Sequence, residues 1–196
     1  MSRLHTSFVL GYHGCSKETG ENILAGLSVL KRSENQYDWL GPGVYFWESD
    51  PVRAWEWAHW KTSTGSYAKP FVLGAVIDLG NCLDLMSRED LELVSGAYKV
   101  LKKARDSDPG LGPLPVNEPV RPGDRDNLKR YLDCATIRHL HAAIRDQKLF
   151  PYDTVRGLFT EGEPLYPGSG FFAKTHIQIA VRSAKNIKGF FRVEPI

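Results

Sequence analysis

Two short motifs each place a glycine beside a side chain that can bind a small molecule. The first covers residues 12–16 (YHGCS), which we predict to end a strand and turn into a helix with His13 at the corner. The second covers residues 37–48 (YDWLGPGVYFWE), where a Gly-Pro-Gly turn leads into a strand that presents Tyr45. An imidazole can donate a hydrogen bond to a sugar hydroxyl, and a tyrosine ring can stack on another ring. The two corners predict two walls of one small-molecule slot.

Each motif also has an ordinary structural interpretation. A lone histidine often only caps a strand, and a lone tyrosine is most often part of the core. The neighbours favour binding, because Gly14 lets a ligand approach the backbone and Ser16 adds a hydroxyl. Tyr45 lies between the glycine turn and a Ser-Asp-Pro sequence that starts a helix, which is a position beside a crevice.

Composition limits the class of protein. The chain has 196 residues, of which 42% are hydrophobic and 11% aromatic, so it is long and apolar enough for one folded domain. Its three cysteines are widely spaced and form no CxxC pair, which indicates neither a zinc site nor a disulfide framework. The first ten residues are too short and polar for a signal peptide, and no apolar run reaches membrane-spanning length. We expect a cytoplasmic protein that does not bind a membrane.

Hydrophobic periodicity predicts an α+β fold in a single domain over residues 1–196. The predicted strands cover residues 8–12, 44–47, 71–79, 154–160, 177–182 and 189–193. The predicted helices cover residues 18–26, 51–62, 89–105 and 128–145. The proline-rich residues 106–126 are predicted to be a loop. Because strands flank a mostly helical stretch, we interpret residues 88–150 as a helical insertion in one β-rich domain.

The two motifs resemble the NAD-binding core of the ADP-ribosyltransferase superfamily, in its poly(ADP-ribose)-polymerase-like branch. In that branch, a strand ending in His-Gly-Ser/Thr precedes a Gly-x-Gly-Ile-Tyr-Phe-Ala strand and a helix. The resemblance implies a split, strongly bent β-sandwich that holds NAD, as a substrate and without a metal, between its halves. It also implies that His13 binds the adenosine-side ribose, that Gly14 binds the nicotinamide amide through its backbone, and that Tyr45 stacks on the nicotinamide.

The polar residues 33–39 come just before the glycine turn. They are either a surface loop or a wall over the cofactor, as the corresponding loop is in that family. With the second interpretation, the remaining predicted cofactor contacts are Ser16, Asn35, Tyr37 and Gly43.

The strand over residues 175–182 resembles the family's Asn-Glu-Tyr-Val-Val-Tyr strand, with Gln178 in place of the glutamate. Transfer of ADP-ribose passes through an oxocarbenium-like state, which a carboxylate stabilises. A glutamine can bind ribose hydroxyls but carries no charge. The resemblance therefore implies either single transfers, without chain elongation, or an inactive fold.

Other side chains near that strand are candidates for the missing function. Glu161 and Glu163 lie in the loop that matches the family's recognition loop, where a carboxylate can deprotonate an acceptor or simply be solvated. His176 points to the same side of the strand as Gln178. Arg156 is expected to bind a diphosphate or to form an ion pair with Asp153 or Asp133.

The function implied is an NAD-dependent mono-ADP-ribosyltransferase with a macromolecular target, of the bacterial toxin or phage-defence type, restrained by an antitoxin or immunity protein. One alternative is a module that binds NAD or ADP-ribose without turnover, which Gln178 motivates. Another is a tRNA 2′-phosphotransferase, which needs several basic residues near His13. The sequence offers only Lys17 and Arg53 for that purpose.

The acceptor is weighed between nucleic acid and protein, with a preference for nucleic acid. Basic residues bracket the proline-rich loop: Lys99, Lys102, Lys103, Arg105, Arg121, Arg125, Lys129 and Arg130. They can track a phosphate backbone while a tryptophan stacks on an unpaired base. Interspersed aspartates and a net charge of only +2 favour solvated helix faces with local ion pairs instead. On a helix over residues 51–62, Trp55 shares a face with two alanines, whereas Trp57 and Trp60 lie on another, so we expect at least one tryptophan to be outside the core.

Overall fold

The computed structural model describes residues 8–195, in which a seven-stranded mixed sheet and four α-helices confirm the α+β prediction. The sheet strands are β1 Phe8–Ser16, β2 Val44–Glu48, β3 Pro70–Asp78, β4 Cys82–Asp84, β7 Thr154–Phe159, β8 His176–Val181 and β9 Ile187–Arg192. The short strands β5 Asn117–Glu118 and β6 Lys129–Arg130 pair separately. The helices are α1 Lys17–Leu24, α2 Pro51–Ser63, α3 Arg88–Ser107 and α4 Tyr131–Asp146.

The strand order is β4-β7-β8-β2-β1-β3-β9, and every neighbouring pair is antiparallel except β4 with β7. A parallel pair needs a long crossover connection between its strands. The segment that contains α3 and α4 is that crossover. The helices predicted within residues 88–150 are thus confirmed. They form the connection between two strands that pair with each other in the sheet, β4 and β7. Strand β4 was not predicted from the sequence.

A short link between β3 and β4 requires the sheet to bend strongly. These strands are five positions apart in the sheet, which is about 24 Å if the sheet is flat. Only residues 79–81 connect them, and a chain of that length spans at most about 14 Å. The sheet bends at Gly11 of β1, where there is no room for a side chain. An added Cβ would lie 2.5 Å from Ile77 Cδ1 and 2.9 Å from Phe46 Cβ. Side chains of β2 and β3 therefore meet across β1.

The bend gives the sheet an inner and an outer face. On the inner face the two halves of the sheet pack on each other through a buried apolar cluster: Val44, Phe46, Ala75, Ile77, Ile179 and Val181. On the outer face α2 covers one half through Ala54 and Trp55, and α4 covers the other half through Ile137 and Leu140. The outer face between these two helices carries Trp47 and Gln178, which are opposite each other in the β2–β8 ladder.

Strand β1 pairs very unequally with its two neighbours. It forms nine residue pairs with β3 but only two with β2, Gly11 with Glu48 and Tyr12 with Trp47. The sequence prediction ended this strand at Tyr12, whereas it continues to Ser16 because β3 pairs with it throughout. Residues 13–16 thus have one edge bonded to β3 and the other facing away from β2. We call this stretch the open edge of β1.

Helix α2 begins as its sequence predicts and divides its tryptophans between core and surface. Asp50 accepts a hydrogen bond from the Arg53 amide at 2.9 Å, and Pro51 is in the first turn. Trp55 is buried, while Trp57 is 38% exposed and Trp60 is 50% exposed. The expectation that one helix cannot bury all three is confirmed. Within residues 8–195, no helix is both long and apolar enough to cross a membrane.

Candidate functional site

His13 lies where β1 and β2 separate, and at this point its side chain, not its backbone, bonds to β2. Its Nδ1 is 2.8 Å from the Tyr45 carbonyl oxygen. Because a carbonyl only accepts, Nδ1 carries the proton, and Nε2 of the neutral ring is an acceptor. Burial lowers the pKa of His13, partly opposed by this hydrogen bond, which favours the neutral ring. The free nitrogen of the imidazole can therefore accept a hydrogen bond but not donate one, whereas a donor was expected from the sequence.

The Tyr45 side chain is fixed by hydrogen bonds and packing on the face of the sheet opposite to His13. Its hydroxyl donates to the Gly41 carbonyl at 2.8 Å and accepts from the Leu40 amide at 3.0 Å. Its ring packs on the cluster beneath α4, and burial raises its pKa well above the usual value. By strand register, its side chain leaves the outer face and that of His13 the inner face. The two motifs are joined by the Tyr45 carbonyl, and not as the two facing walls that were expected.

Gly14 and Ser16 have clear local roles at the open edge of β1. A Cβ on Gly14 would lie 2.5 Å from the Ala54 carbonyl oxygen of α2, so only glycine allows this helix to pack so closely. The Ser16 hydroxyl caps α1 by accepting from the Thr19 amide at 3.2 Å. Beside them is a cleft of about 550 Å³ lined by Ser16, Lys17, Glu18, Thr19, Ser66, Tyr67, Ala68 and Lys69. Contact of either residue with a cofactor stays a prediction.

The loop over residues 33–43 is packed against α4. Asn35 donates to the Ser33 hydroxyl at 2.9 Å, and the Tyr37 ring meets the edge of Tyr131 at 5.9 Å. Gly43 exchanges two backbone hydrogen bonds with Ser33, at 2.8 and 3.2 Å. The backbone of Gly43 is thus already bonded within the chain, and its contact with a cofactor stays a prediction. Asn35 and Tyr37 are exposed, and their side chains contact Ser33, Asp38 and Tyr131 within this part of the fold.

A second group of candidates comes together on the outer face between α2 and α4. The Gln178 carbonyl oxygen accepts from the Trp39 indole N–H at 2.7 Å. The Trp39 ring lies over Gly157, where a Cβ would be 2.8 Å from it. This bond fixes the amide of Gln178, so that its NH₂ group is the end left to donate. Sequence reasoning missed Trp39 as a partner of Gln178, because the two are 139 residues apart.

His176 lies beside Gln178 on the same face and is only 5% exposed. Its Nδ1 donates to the Lys174 carbonyl at 2.6 Å, and its Nε2 has no partner within residues 8–195. The ring stacks on Phe159 with centroids 5.6 Å apart and lies 6.3 Å from Trp47. Burial lowers the pKa of His176, which leaves a neutral ring with an acceptor at Nε2.

The two glutamates of the following loop have different environments. Glu161 accepts from the Arg53 guanidinium at 2.9 Å, and the side chains of both are about 85% buried. Arg53 also pairs with Glu56 on its own helix. Glu163 is 84% exposed and 3.7 Å from Arg125, so it lies on the surface and not in this group. Of the two glutamates, only Glu161 lies beside Arg53 and the other candidates on the outer face, and its role in catalysis stays a prediction.

Arg156 is engaged in a structural ion pair. Its guanidinium bonds both oxygens of Glu48, at 2.5 and 2.6 Å, and Asp84 at 3.1 Å. The hydrogen bonds to Glu48 raise its pKa. The ion-pair alternative is therefore confirmed over diphosphate binding, although the partners are not the Asp153 or Asp133 that were expected.

Half of the eight basic residues around the proline-rich loop are bonded within the chain. Lys102 pairs with Asp106 at 2.5 Å, and Arg130 pairs with Asp133. The other two bonded residues are Arg105, which donates to three carbonyl groups, and Arg125, which lies over the Phe172 ring. Local pairing thus accounts for much of a charge pattern that the sequence also allowed to be a phosphate track.

No group of three or more metal-ligating side chains occurs in the part of the chain that the structure describes. Comparison with protein-family models, with curated proteins and with solved structures finds no match for this chain.

Proposed function

We propose that this chain is an NAD-dependent mono-ADP-ribosyltransferase that modifies a macromolecule, with the split β-sandwich of that superfamily. The observation that carries the proposal is the hydrogen bond between His13 and the Tyr45 carbonyl. It joins the two motifs of the resemblance at the point where β1 and β2 separate. An opening between strands, lined by one free imidazole nitrogen, is a place where a dinucleotide can lie.

In this proposal NAD lies along the open edge of β1. His13 Nε2 accepts from the adenosine-side ribose, because Nδ1 is already committed to Tyr45. The adjoining cleft carries Lys17 and Lys69, whose charges suit the diphosphate. Gly14, next to His13, keeps the backbone contact with the nicotinamide amide that the resemblance implies. The Tyr45 ring packs beneath α4 on the other face, so its stacking on the nicotinamide requires the ring to leave that cluster.

In this proposal, transfer takes place at the outer-face group, by which we mean the side chains between α2 and α4: Trp39, Trp47, Arg53, Glu161, His176 and Gln178. The Gln178 NH₂ group can donate to a ribose hydroxyl of the transferred unit, since Trp39 holds its carbonyl end. The nearest candidate carboxylate, Glu161, is neutralised by Arg53, so its stabilisation of the oxocarbenium-like state is reduced. This arrangement suits single transfers instead of chain growth. If the target belongs to the host cell, an antitoxin or immunity protein is needed to restrain a toxin or defence effector of this type.

A second candidate is a module that binds NAD or ADP-ribose without turnover. It is favoured by the same two bonds, because Gln178 is uncharged and Glu161 is paired. The tRNA 2′-phosphotransferase alternative is not favoured, since the Arg53 guanidinium is taken up by Glu56 and Glu161.

Labelled NAD distinguishes these candidates. The protein is incubated with NAD and a cell extract, and the products are treated separately with protease and with nuclease. Release of nicotinamide with label on a macromolecule is the expected result. Binding of NAD without release assigns the binding module, and absence of binding contradicts both.

A further inference from the structure

Three buried polar atoms near the centre of the outer-face group have no partner in the described chain: Trp47 Nε1, His176 Nε2 and Arg53 Nε. Trp47 is 7% and His176 5% exposed, and their ring centroids are 6.3 Å apart. Arg53 is close enough to His176 to lower its pKa, although burial is the main cause. Leaving a buried polar atom unbonded typically costs about 1–3 kcal/mol, so a ligand that bonds these atoms gains that free energy on binding.

The hydrogen-bonding capacity of the three atoms matches one chemical group. His176 Nε2 accepts, since Nδ1 donates to Lys174. Trp47 Nε1 and Arg53 Nε both donate. A hydroxyl has one hydrogen to give and two lone pairs to receive, which satisfies all three atoms. A carboxylate or phosphate has no hydrogen to give to His176.

Other unpartnered ring nitrogens lack this complementarity. Trp55 Nε1 is a single donor in the core beneath α2. His141 leaves both its ring nitrogens without a partner, on α4. Trp55 belongs to the same buried cluster as Trp47, whereas the His141 ring meets Tyr152. His141 is therefore a control for loss of an imidazole elsewhere in the fold, and Trp55 is a control for loss of an indole N–H within the same cluster.

A row of aromatic rings leads from this site to the surface. Trp47 lies 6.0 Å from Trp57, and Trp57 lies 5.0 Å from Trp60. Exposure rises along the row from 7% to 38% to 50%. Lys61 Nζ lies 5.1 and 5.2 Å from the two outer rings. Aromatic rings beside a cation suit the bases and phosphates of a single-stranded nucleic acid.

We propose that Trp47, Arg53 and His176 bind a ribose 2′-hydroxyl of a single-stranded RNA acceptor, with His176 as the general base. The inference rests on the proposed function and names its acceptor. Glu161 pairs with Arg53 through Nη2, which leaves Arg53 Nε as the donor for the hydroxyl.

The step balances with NAD as the only co-reactant. As the hydroxyl loses its proton, the electron pair of its O–H bond stays on the oxygen and forms the bond to C1′ of the nicotinamide-side ribose, and the bond from C1′ to the nicotinamide nitrogen breaks. Both electrons of that bond leave with nicotinamide, which becomes neutral. The hydroxyl proton moves to His176 Nε2 and then to water.

The test uses the full chain, labelled NAD and a short oligouridylate that is phosphorylated at both ends, so that its 2′-hydroxyls are its only alcohols. The matched oligodeoxyuridylate has none, and a serine-rich peptide supplies hydroxyls from protein. Transfer to the RNA alone is expected. Equal transfer to the DNA places the bond on a base or phosphate and overturns the inference, and so does transfer to the peptide alone.

Two substitutions test the residues themselves. His176→Phe keeps the stacked ring and removes both ring nitrogens, Nε2 and the Nδ1 that bonds Lys174. It is expected to lower transfer to RNA by at least about a hundredfold, because a general base contributes that much. Trp47→Phe removes only the N–H donor and should lower transfer by about tenfold. The controls His141→Phe and Trp55→Phe should transfer like the parent. Equal losses in a variant and its control contradict the assigned roles.

A binding measurement separates failure of the inference from failure of the proposed function. Calorimetry without NAD is expected to show the RNA bound about tenfold more tightly than the DNA, and His176→Phe should abolish that difference. If NAD is neither bound nor consumed but this difference is present, the proposed function fails and the hydroxyl site stands. If NAD is turned over while RNA and DNA bind equally, the hydroxyl site is wrong and the transferase stands.

Discussion

The two edges of β1 differ in how far the backbone pairs along them. Toward β3 the strand is bonded along nine residues, and toward β2 along only two. The long ladder holds the bent sheet together, whereas the short one leaves His13 and Gly14 beyond its end. Side chains there replace the backbone ladder, and a side chain can be exchanged for a ligand more readily than a strand. One strand is thus fully paired along one edge and, beyond Tyr12, has no strand partner in the described chain along the other.

The largest expected effect tests the close contact between the open edge of β1 and α2. Gly14→Ala should destabilise the fold by about 3 kcal/mol, because the added Cβ meets a backbone carbonyl that cannot move alone. Urea unfolding measures the change. Gly189→Ala in β9 is the matched control, since a Cβ there meets nothing within 4 Å. Equal stability of the two variants would mean that α2 does not press on this strand.

A smaller effect tests the imidazole that replaces the ladder. His13→Ala should cost about 2 kcal/mol of stability, because the Tyr45 carbonyl loses its partner. It should also weaken NAD binding by roughly ten- to a hundredfold. His13→Asn keeps a donor near the Nδ1 position and should recover most of the stability without recovering NAD binding. Full recovery of both by asparagine would show that His13 is only structural.

Acid provides a graded test, because the three histidines whose pKa is lowered, His13, His141 and His176, lie at the open edge or on the β2 side of it. For His141, burial lowers the pKa to about 3. In the unfolded chain His141 takes up a proton near pH 6.5, whereas in the folded chain it stays neutral down to about pH 3. The contribution of His141 to stability is therefore complete above about pH 6.5 and falls by about 1.4 kcal/mol per pH unit between about pH 6.5 and pH 3. The lowered pKa values of His13 and His176 change stability in the same direction. In urea titrations, His141→Phe should flatten this dependence, and an unchanged slope would contradict the assignment.

The sequence was informative where a local pattern decides structure. Glycine turns and apolar periodicity predicted most of the sheet strands, and helical spacing predicted that Trp57 or Trp60 lies outside the core. Strand β4 has only three residues, which is too short for a period to be visible. The full length of β1 depends on pairing with β3, and that is a tertiary contact.

The site was harder to predict, because it depends on register and on distant partners. The opposite directions of His13 and Tyr45 follow from which residues face each other in three ladders. Trp39 and Arg53 act through bonds to residues more than a hundred positions away. The free Nε2 of His176 follows from the bond between its Nδ1 and the Lys174 carbonyl, which no sequence pattern predicts.

The three-residue link over residues 79–81 has a consequence for the order of folding. It holds the end of β3 beside β4 as soon as both exist, so the closure of the bend is a local event. The partner of β4 comes later, because Cys82 pairs with Thr154 across the whole crossover. Closing that long loop costs entropy before any contact compensates for it. We therefore expect the hairpin-like first half to form early and β7 with β8 to dock in the rate-limiting step, which is slow for a chain of this size.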